Sequence, residues 1–254
     1  MSFVLRLSWN LEQAASFNAL LALPPDSALD SPWRSVVPLL DFWRKPQERL
    51  SEVGRRLGVN LISTTELAFE FPVPVQKGRG KSSFTDVMII GPDSAIAVEA
   101  KYTEPEYQSV RDWLGATTGS NREHVLAGWL GLLNAYANKP LERNAILDLP
   151  YQLIHRGASA CLLGQPNTAL VYLIFGASSP QHYREHITQL TALIGKTGRM
   201  SLNVLTCDLS PLSAVAELEQ TWKSGERRMA DSVRKALADE PCYSFGDLQA
   251  VDLR

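Results

Sequence analysis

The feature that most constrains this chain is a pair of short apolar segments joined by a tight turn. Residues 84–101 read FTDVMII, then GPDS, then AIAVEAK. Proline at the second position of GPDS suits a β-turn, and both flanking segments have the length and β-branched content of buried strands. The pattern predicts an antiparallel hairpin in which Ile90 lies opposite Ala95 and Met88 lies opposite Ala97.

The same pairing places charged side chains next to each other inside an apolar sheet. Asp86 falls opposite Glu99, and strand alternation puts Lys101 on the same face as Glu99. Opposed side chains lie ~5 Å apart, so two carboxylates there destabilise the pair, and one lysine neutralises only one of them. A divalent cation would resolve the conflict, because carboxylate oxygens suit Mg²⁺. The competing interpretation, a solvated surface hairpin, fits poorly with such apolar flanking strands.

Helical and strand-like segments alternate along the rest of the chain without a linker between them. We predict helices at 10–23, 40–57, 121–138, 150–163, 181–195 and 212–238, and further strands at 61–75, 169–175 and 202–207. The order of helix, three strands, helix and strand is typical of a mixed α/β sheet. The 254 residues predict one domain over 1–254, with its core at about residues 40–210 and helical additions at both ends.

Composition excludes several classes of protein. The net charge of −2 and the pI of about 6.1 argue against a polybasic protein that binds nucleic acid by bulk charge, although a local basic channel stays open. Three cysteines without close spacing argue against a disulfide scaffold and a cysteine zinc site. The first residues lack the pattern of a signal peptide, and the longest apolar stretch, 169–177, is too short to span a bilayer. We therefore expect a cytoplasmic protein without a membrane partner.

A narrow polar stripe marks the predicted helix at 150–163. Its members follow the i, i+3, i+4, i+7 spacing of one helix face and are Gln152, His155, Arg156 and Ser159. The other residues are mostly apolar or small, so the helix is expected to be buried and the stripe needs a polar partner. That partner is either a set of structural hydrogen bonds or a functional site. The two interpretations are equally supported for His155, and we favour the site for Gln152 and Arg156.

A basic loop that contains glycines precedes the hairpin. Residues 76–82 read QKGRGKS, and Lys77, Arg79 and Lys81 could bind the backbone of a nucleic acid. A solvated loop that happens to be basic is an equally good interpretation.

The hairpin residues resemble the motif of the PD-(D/E)XK nuclease superfamily, which has the restriction-endonuclease-like fold. Asp86 is followed, after twelve residues, by Glu99-Ala100-Lys101 at the end of an apolar strand. Thr85 stands where that motif has proline. The resemblance extends from the helix near residue 45 to the strand that ends near residue 175, and it implies a core of helix, three strands, helix and strand.

The resemblance also implies a role for each motif residue. Asp86 and Glu99 would hold Mg²⁺, or Mn²⁺ as a substitute, with the backbone carbonyl of Ala100 as a further ligand. Lys101 would orient or deprotonate the attacking water and stabilise negative charge on the phosphate. Members of the superfamily often add an acidic residue, for which we favour Glu52. The other candidates are Glu48, Glu66 and Glu70.

The run YQLIHR at 151–156 is similar to one in uncharacterised bacterial members of that superfamily. By that resemblance Gln152 would orient the water or Lys101, and Arg156 would contact a phosphate, with His155 beside it on the nucleic-acid side.

The expected activity is therefore Mg²⁺-dependent hydrolysis of DNA phosphodiester bonds. The alternative is a nuclease-like module without catalysis that binds nucleic acid or serves in an assembly. A zinc hydrolase site at His182 and His186, which match an HxxEH pattern, is less favoured than a solvated helix. The expected partner is nucleic acid, most of all DNA, and a homodimer stays open.

Overall fold

The computed structural model describes residues 5–61, 63–105, 107–116, 120–176, 180–195, 198–225 and 229–253. The strands are β1 (Arg6–Trp9), β2 (Glu12–Ala14), β3 (Glu66–Val73), β4 (Ser83–Ile90), β5 (Ser94–Lys101), β6 (Asn167–Phe175), β7 (Met200–Cys207), β8 (Leu209–Pro211), β9 (Tyr243–Phe245) and β10 (Gln249–Ala250). The helices are α1 (Phe17–Leu20), α2 (Val36–Phe42), α3 (Pro46–Leu57), α4 (Val110–Leu114), α5 (Asn121–Asn134), α6 (Tyr151–Cys161), α7 (Gln181–Ile194), α8 (Ser213–Lys223) and α9 (Met229–Asp239).

Eight of these strands form a mixed sheet in the order β10-β7-β6-β5-β4-β3-β1-β2. The centre combines an antiparallel meander, β3-β4-β5, with a parallel set, β5-β6-β7. Parallel neighbours need a crossover, and α4 to α6 and then α7 occupy those two connections. The predicted mixed α/β class is confirmed. Strands β8 and β9 pair separately as a short ribbon.

Helices cover both faces of the sheet, which explains why β4 and β5 are almost continuously apolar. In β4, Val87 and Ile89 pack into one core with residues of α2, α3, α8 and α9. Met88, between them, packs into the opposite core with residues of α4, α5, α6 and α7. Alternate side chains of the hairpin are therefore buried in the two cores on opposite faces of the sheet.

The hairpin register is confirmed. Ile90 pairs with Ala95, and Met88 pairs with Ala97, as the turn and the alternation predicted. The thiols of Cys161, Cys207 and Cys242 are free and buried. In the described part of the chain, no helix has both the length and the apolar character required to cross a membrane.

The predicted helix at 10–23 is wrong over most of its length. The segment 10–23 forms part of a strand hairpin followed by the short helix α1, and β1 joins the edge of the sheet by pairing in parallel with β3. Asn10 and Leu11 have φ of +48° and +68°, which turns the chain between β1 and β2. Edge pairing buries Trp9 and Leu7, and this tertiary gain overrides the helical propensity of the following leucines and alanines. At the other end, α8 and α9 are helical additions, but β9 and β10 follow them.

The predicted helix at 40–57 is two helices. It breaks before Pro46, which occupies the first helical position of α3, where the missing N–H costs no hydrogen bond.

Candidate functional site

Asp86 and Glu99 lie side by side where the main-chain pairing of β4 and β5 ends. The last paired residues are Val87 and Val98, so the two acidic residues occupy the next position along the strands. Asp86 Oδ2 accepts a hydrogen bond from the backbone N–H of Ala100 at 2.8 Å. The side chain of Asp86 is thereby fixed to β5 beside Glu99.

Glu99 is the centre of a buried network of donors. Its Oε1 atom accepts from Lys101 Nζ at 2.8 Å and from Gln152 Nε2 at 2.6 Å, and its Oε2 atom accepts from Arg156 Nε. The Glu99 residue is only 2% exposed. Both of its oxygens are therefore engaged, and this one buried carboxylate is shared by two cations, Lys101 and Arg156.

The two acidic residues are in opposite electrostatic situations. Burial, and then the negative charge of Glu99, raise the pKa of Asp86 well above its ordinary value, although Arg156 and Lys101 oppose this. Burial also acts to raise the pKa of Glu99, but the charges and hydrogen bonds of Arg156 and Lys101 hold it below its ordinary value. Glu99 is thus an anion held by two adjacent cations, whereas the same cations only partly offset the cost of a charge on Asp86.

Lys101 stays protonated at neutral pH. Burial alone would lower the pKa of its ammonium group, but the carboxylates of Glu99 and Asp86 hold that pKa above its ordinary value. A protonated lysine can donate hydrogen bonds and stabilise negative charge, but it cannot accept a proton from water.

Helix α6 supplies two of the donors to Glu99. Gln152 and Arg156 lie four residues apart, so they share the face of α6 that is directed at β5. The structure brings two of the four residues of the predicted polar stripe, Gln152 and Arg156, to Glu99. Arg156 was expected to contact a phosphate, but its guanidinium is committed instead to Glu99 and, through Nη1, to Ser83 Oγ at 2.8 Å.

His155 is buried beside Arg156 and lines the cleft next to the cluster, and its contact with nucleic acid stays a prediction. The residue is 6% exposed and its ring packs against Tyr151 at 4.8 Å between centroids. Burial, and then Arg156 and Lys101, lower the pKa of His155 well below its ordinary value, so the ring is neutral. Ser83 Oγ lies 2.9 Å from His155 Nδ1, and the neutral ring can accept a hydrogen bond from the hydroxyl there.

A third carboxylate, that of Glu70, reaches the same level of the sheet from β3. Phe69 pairs with Val87 and Phe71 pairs with Thr85, which leaves Glu70 facing Asp86. The backbone of Glu70 has φ of +46°. Burial raises the pKa of its carboxyl group, Arg156 lowers it, and Glu99 adds to the increase.

Glu52, the favoured third carboxylate in the sequence, does not join this cluster. It lies on α3, which packs into the core on the opposite side of the sheet from α6. Its Oε2 atom pairs with Arg49 Nη1 at 2.6 Å, and its Oε1 atom accepts from the backbone N–H of Leu248 at 2.9 Å. The other candidates are also engaged elsewhere, Glu48 with Lys45 and Glu66 with Arg6 and Ser8.

The donor set fits a hydrated Mg²⁺ ion held by one or two carboxylates. Asp86 Oδ1 and both oxygens of Glu70 have no hydrogen-bond donor among the described residues. N–H and C=O of one strand residue point to the same side, so the carbonyl of Ala100 also faces Asp86. Mg²⁺ keeps several waters and needs few protein oxygens. A closed set of three or more His, Cys, Asp or Glu ligands is not found within the described ranges.

Two clefts meet at this cluster. The loop-side cleft, of about 470 Å³, is lined by Glu70, Asp86 and the basic loop, and the β5-side cleft, of about 550 Å³, is lined by Asp86, Glu99 and Lys101. Arg79 and Lys81 line the loop-side cleft. Lys77, which was predicted to bind nucleic acid together with Arg79 and Lys81, is exposed but does not line either cleft.

The basic loop is held against α5 by specific contacts. Asn121 Oδ1 accepts from the backbone N–H of Arg79 at 2.7 Å, and Asn121 Nδ2 donates to its carbonyl at 2.6 Å. Gly78 has φ of +80°, and a Cβ atom there would lie 2.9 Å from Asn121 Oδ1 and 3.0 Å from Val125 Cγ2. The loop conformation therefore requires glycine at this position.

We expect Gly78→Ala to lower the free energy of unfolding by about 2 kcal/mol, because it combines a left-handed backbone with two close contacts. Chemical denaturation measures this loss. Gly80→Ala is the matched control in the same loop, since its Cβ would meet only Val75 Cγ1 at 3.8 Å, and it should stay within about 0.5 kcal/mol of wild type. Equal stability of the two variants would contradict the role of the Gly78 contact.

Several lining residues were missed by the sequence reasoning. Ser83 and Phe84 begin the strand that carries Asp86, and Tyr107 follows β5 in a connecting loop. The two-residue spacing of Phe84 and Asp86 along β4 was a signal for Phe84. No local pattern identifies Tyr107, because its position depends on how the connection after β5 crosses the sheet.

Comparisons with known proteins identify a family but no function. A family model described as a domain of unknown function, DUF6946, matches residues 10–227, most of the chain. Neither a curated protein nor a solved structure gives a significant match.

Proposed function

This chain belongs to the DUF6946 family of domains of unknown function, and we propose that it is a metal-dependent nuclease of the PD-(D/E)XK type. In this proposal the order α3, β3-β4-β5, α4 to α6 and β6 is the restriction-endonuclease-like core, and the substrate is a DNA phosphodiester. The observation that carries the proposal is the buried cluster of Asp86, Glu99 and Lys101 at the floor of the joined clefts.

Asp86 and Glu70 would hold the metal ion in this proposal. Asp86 Oδ1 and both oxygens of Glu70 lack donors from the described part of the chain. The pKa of each carboxyl group is raised, first by burial and then by the charge of Glu99, as expected for acidic groups whose ionised form needs a bound cation. Mg²⁺, when bound, would polarise a phosphoryl oxygen and lower the pKa of a bound water. Glu99 is the weaker candidate for direct ligation, because three donors already occupy its two oxygens.

Lys101 would orient the attacking water and stabilise charge on the phosphate, since its ammonium group stays protonated. Glu99 positions that ammonium through a 2.8 Å hydrogen bond. Gln152 and Arg156 in turn fix the rotamer of Glu99, so they are positioning residues rather than groups that touch the substrate.

The second candidate is a nuclease-like module that binds nucleic acid without cleaving it. The complete engagement of Glu99 favours this alternative, because a carboxylate that binds a catalytic metal usually keeps an oxygen available. It shares the clefts and the basic loop with the first candidate and differs only in catalysis.

The test is cleavage of labelled single-stranded and duplex DNA with Mg²⁺ or Mn²⁺ and with EDTA. We expect cleavage that requires the metal, and a loss of about a hundredfold in Lys101→Met, because one preorganised charged donor is removed. Lys45→Met is the control, since Lys45 is an exposed lysine at the start of α3, where it pairs with Glu48.

Cleavage that survives in EDTA, or that is equal in the two lysine variants, would contradict the nuclease proposal. Binding of DNA without cleavage under every metal condition would establish the second candidate.

A further inference from the structure

Two aromatic rings are left open to solvent within the loop-side cleft. Phe84 is 37% exposed and Tyr107 is 50% exposed, and both line this cleft beside Asp86. Tyr107 also lines the β5-side cleft, so it stands where the two clefts meet. Exposed aromatic surface inside a cleft marks a surface that a ligand covers.

The neighbouring aromatic side chains are used for packing. Trp113 and Tyr151 stack on each other with centroids 3.8 Å apart and planes at 8°. Trp129 Nε1 donates to the Tyr151 hydroxyl at 3.0 Å. Neither Phe84 nor Tyr107 has such a ring partner within the residues that the structure describes. The cleft thus has a rigid aromatic wall and two unoccupied ring faces.

Positive charge surrounds the same two rings. Arg79, Lys81 and Arg122 line the loop-side cleft, and none of them forms an ion pair with a carboxylate in the described part of the chain. Arg156, in contrast, is paired with Glu99. The side-chain amide of Asn121 binds both the N–H and the carbonyl of Arg79, so the loop is ordered before a ligand arrives. Cations without a carboxylate partner, interleaved with aromatic rings, are the features by which proteins bind single-stranded nucleic acid.

We infer that the loop-side cleft binds a single-stranded polynucleotide, with unpaired bases on Phe84 and Tyr107 and phosphates at the loop cations. The inference rests on the proposed function, because the strand would then enter the cluster of Asp86 and Lys101. In a duplex the base faces are stacked on each other and are not available to protein rings. An open cleft of about 470 Å³ with two free aromatic faces therefore selects unpaired nucleotides.

Binding in EDTA tests the inference, because no cleavage is needed. The probes are fluorescent single-stranded DNA and RNA of about 12 nucleotides, within the usual site size, and the matching DNA duplex, all at constant low salt. We expect the duplex to bind at least about tenfold more weakly than the single strand. We also expect Phe84→Leu and Tyr107→Leu each to weaken single-strand binding by about tenfold, the effect of losing one stacked base.

The control is Trp222→Leu, which removes an aromatic ring of similar exposure outside the two clefts. It should bind the single strand as wild type does. Tighter binding of either DNA or RNA supports the inference and identifies the sugar. Equal binding of duplex and single strand, or leucine variants of Phe84 and Tyr107 that bind as Trp222→Leu does, would overturn it.

The inference and the nuclease proposal fail in different ways. A protein that binds single strands through Phe84 and Tyr107 but cleaves nothing in Mg²⁺ or Mn²⁺ overturns the nuclease proposal alone. A protein that cleaves DNA while these two substitutions change neither binding nor strand preference overturns the single-strand inference alone.

Discussion

We expect Glu99→Gln to lower the free energy of unfolding by about 3–5 kcal/mol, the typical cost of removing one partner from a buried ion pair. The substitution keeps the shape of the side chain but leaves Lys101 and Arg156 buried without their shared counter-charge. For a chain of this size the loss corresponds to a decrease in Tm of about 10 °C. Urea denaturation in EDTA measures the free energy without any contribution from bound metal.

The pH dependence of stability gives a second measurement. The pKa of Glu99 is lowered in the folded state, so its ionisation stabilises the fold above the ordinary value of 4.5. That contribution is lost as the pH falls through the lower, folded-state pKa. Wild type and Glu99→Gln should therefore differ most at neutral pH and converge in acid.

Glu66→Gln is the matched control on β3 of the same sheet. Its ion pair with Arg6 is partly exposed, so the loss should be less than about 1 kcal/mol. Similar losses in the two variants would contradict the central role of Glu99. Adding Arg156→Gln to Glu99→Gln should recover part of the loss, because it removes one of the buried uncompensated charges.

The part of the site that the sequence predicts is the part set by local periodicity. The turn at 91–94 and strand alternation determine the hairpin register, and with it the juxtaposition of Asp86 and Glu99. Helical periodicity likewise places Gln152 and Arg156 on one face of α6. These relations hold within single elements or across one tight turn, so no tertiary knowledge is needed to find them.

Local periodicity left Glu70 as one of four candidates for the third carboxylate and did not favour it. Leu67 and Phe69 pack into one core and Phe71 packs into the other, so the alternation of β3 reverses at Glu70. Glu70, whose φ is +46°, causes this reversal. Its residue type does not predict a positive φ. The prediction of Glu52 was wrong because its carboxylate accepts a hydrogen bond from Leu248, a residue far away in the sequence. Local periodicity does not show such a contact.

Partners and charge states also depend on tertiary structure. The stripe on α6 is polar in the sequence, but only the packed structure shows that Arg156 neutralises Glu99 and that His155 is neutral beside Ser83. Burial is the physical cause of the pairing of Arg156 with Glu99 and of the neutral state of His155, because it raises the cost of any charge without a counter-ion. Sequence periodicity assigns a residue to a face and leaves its protonation undetermined.

Asp86→Asn should have the opposite effect on stability from Glu99→Gln. The raised pKa of Asp86 means that its charge destabilises the fold at neutral pH, chiefly through burial and the proximity of Glu99. An asparagine retains an oxygen that can accept the Ala100 N–H. We expect a gain of about 0.5–2 kcal/mol and an increase in Tm of a few degrees in EDTA. The gain should vanish below the ordinary carboxyl pKa of 3.8, where Asp86 is protonated in both states.

The same variant should lose at least about a hundredfold in DNA cleavage, since a bound metal contributes several kcal/mol of transition-state stabilisation. Mg²⁺ should raise the Tm of wild type and leave that of Asp86→Asn unchanged, because only the carboxylate binds the ion well. Asp93→Asn, an exposed residue in the turn of the same hairpin, should change stability by less than about 0.5 kcal/mol.

A stabilised variant without activity identifies a carboxylate that the fold keeps at a cost, which is expected of a metal ligand and not of a structural anion. Glu99, whose removal destabilises the protein, belongs to the second kind and acts by holding Lys101 and Arg156 in place. If Asp86→Asn instead destabilised the chain as strongly as Glu99→Gln, or cleaved DNA at the wild-type rate, Asp86 would be structural. The metal would then have to be held by Glu70 and Glu99, against the hydrogen bonds that Glu99 makes.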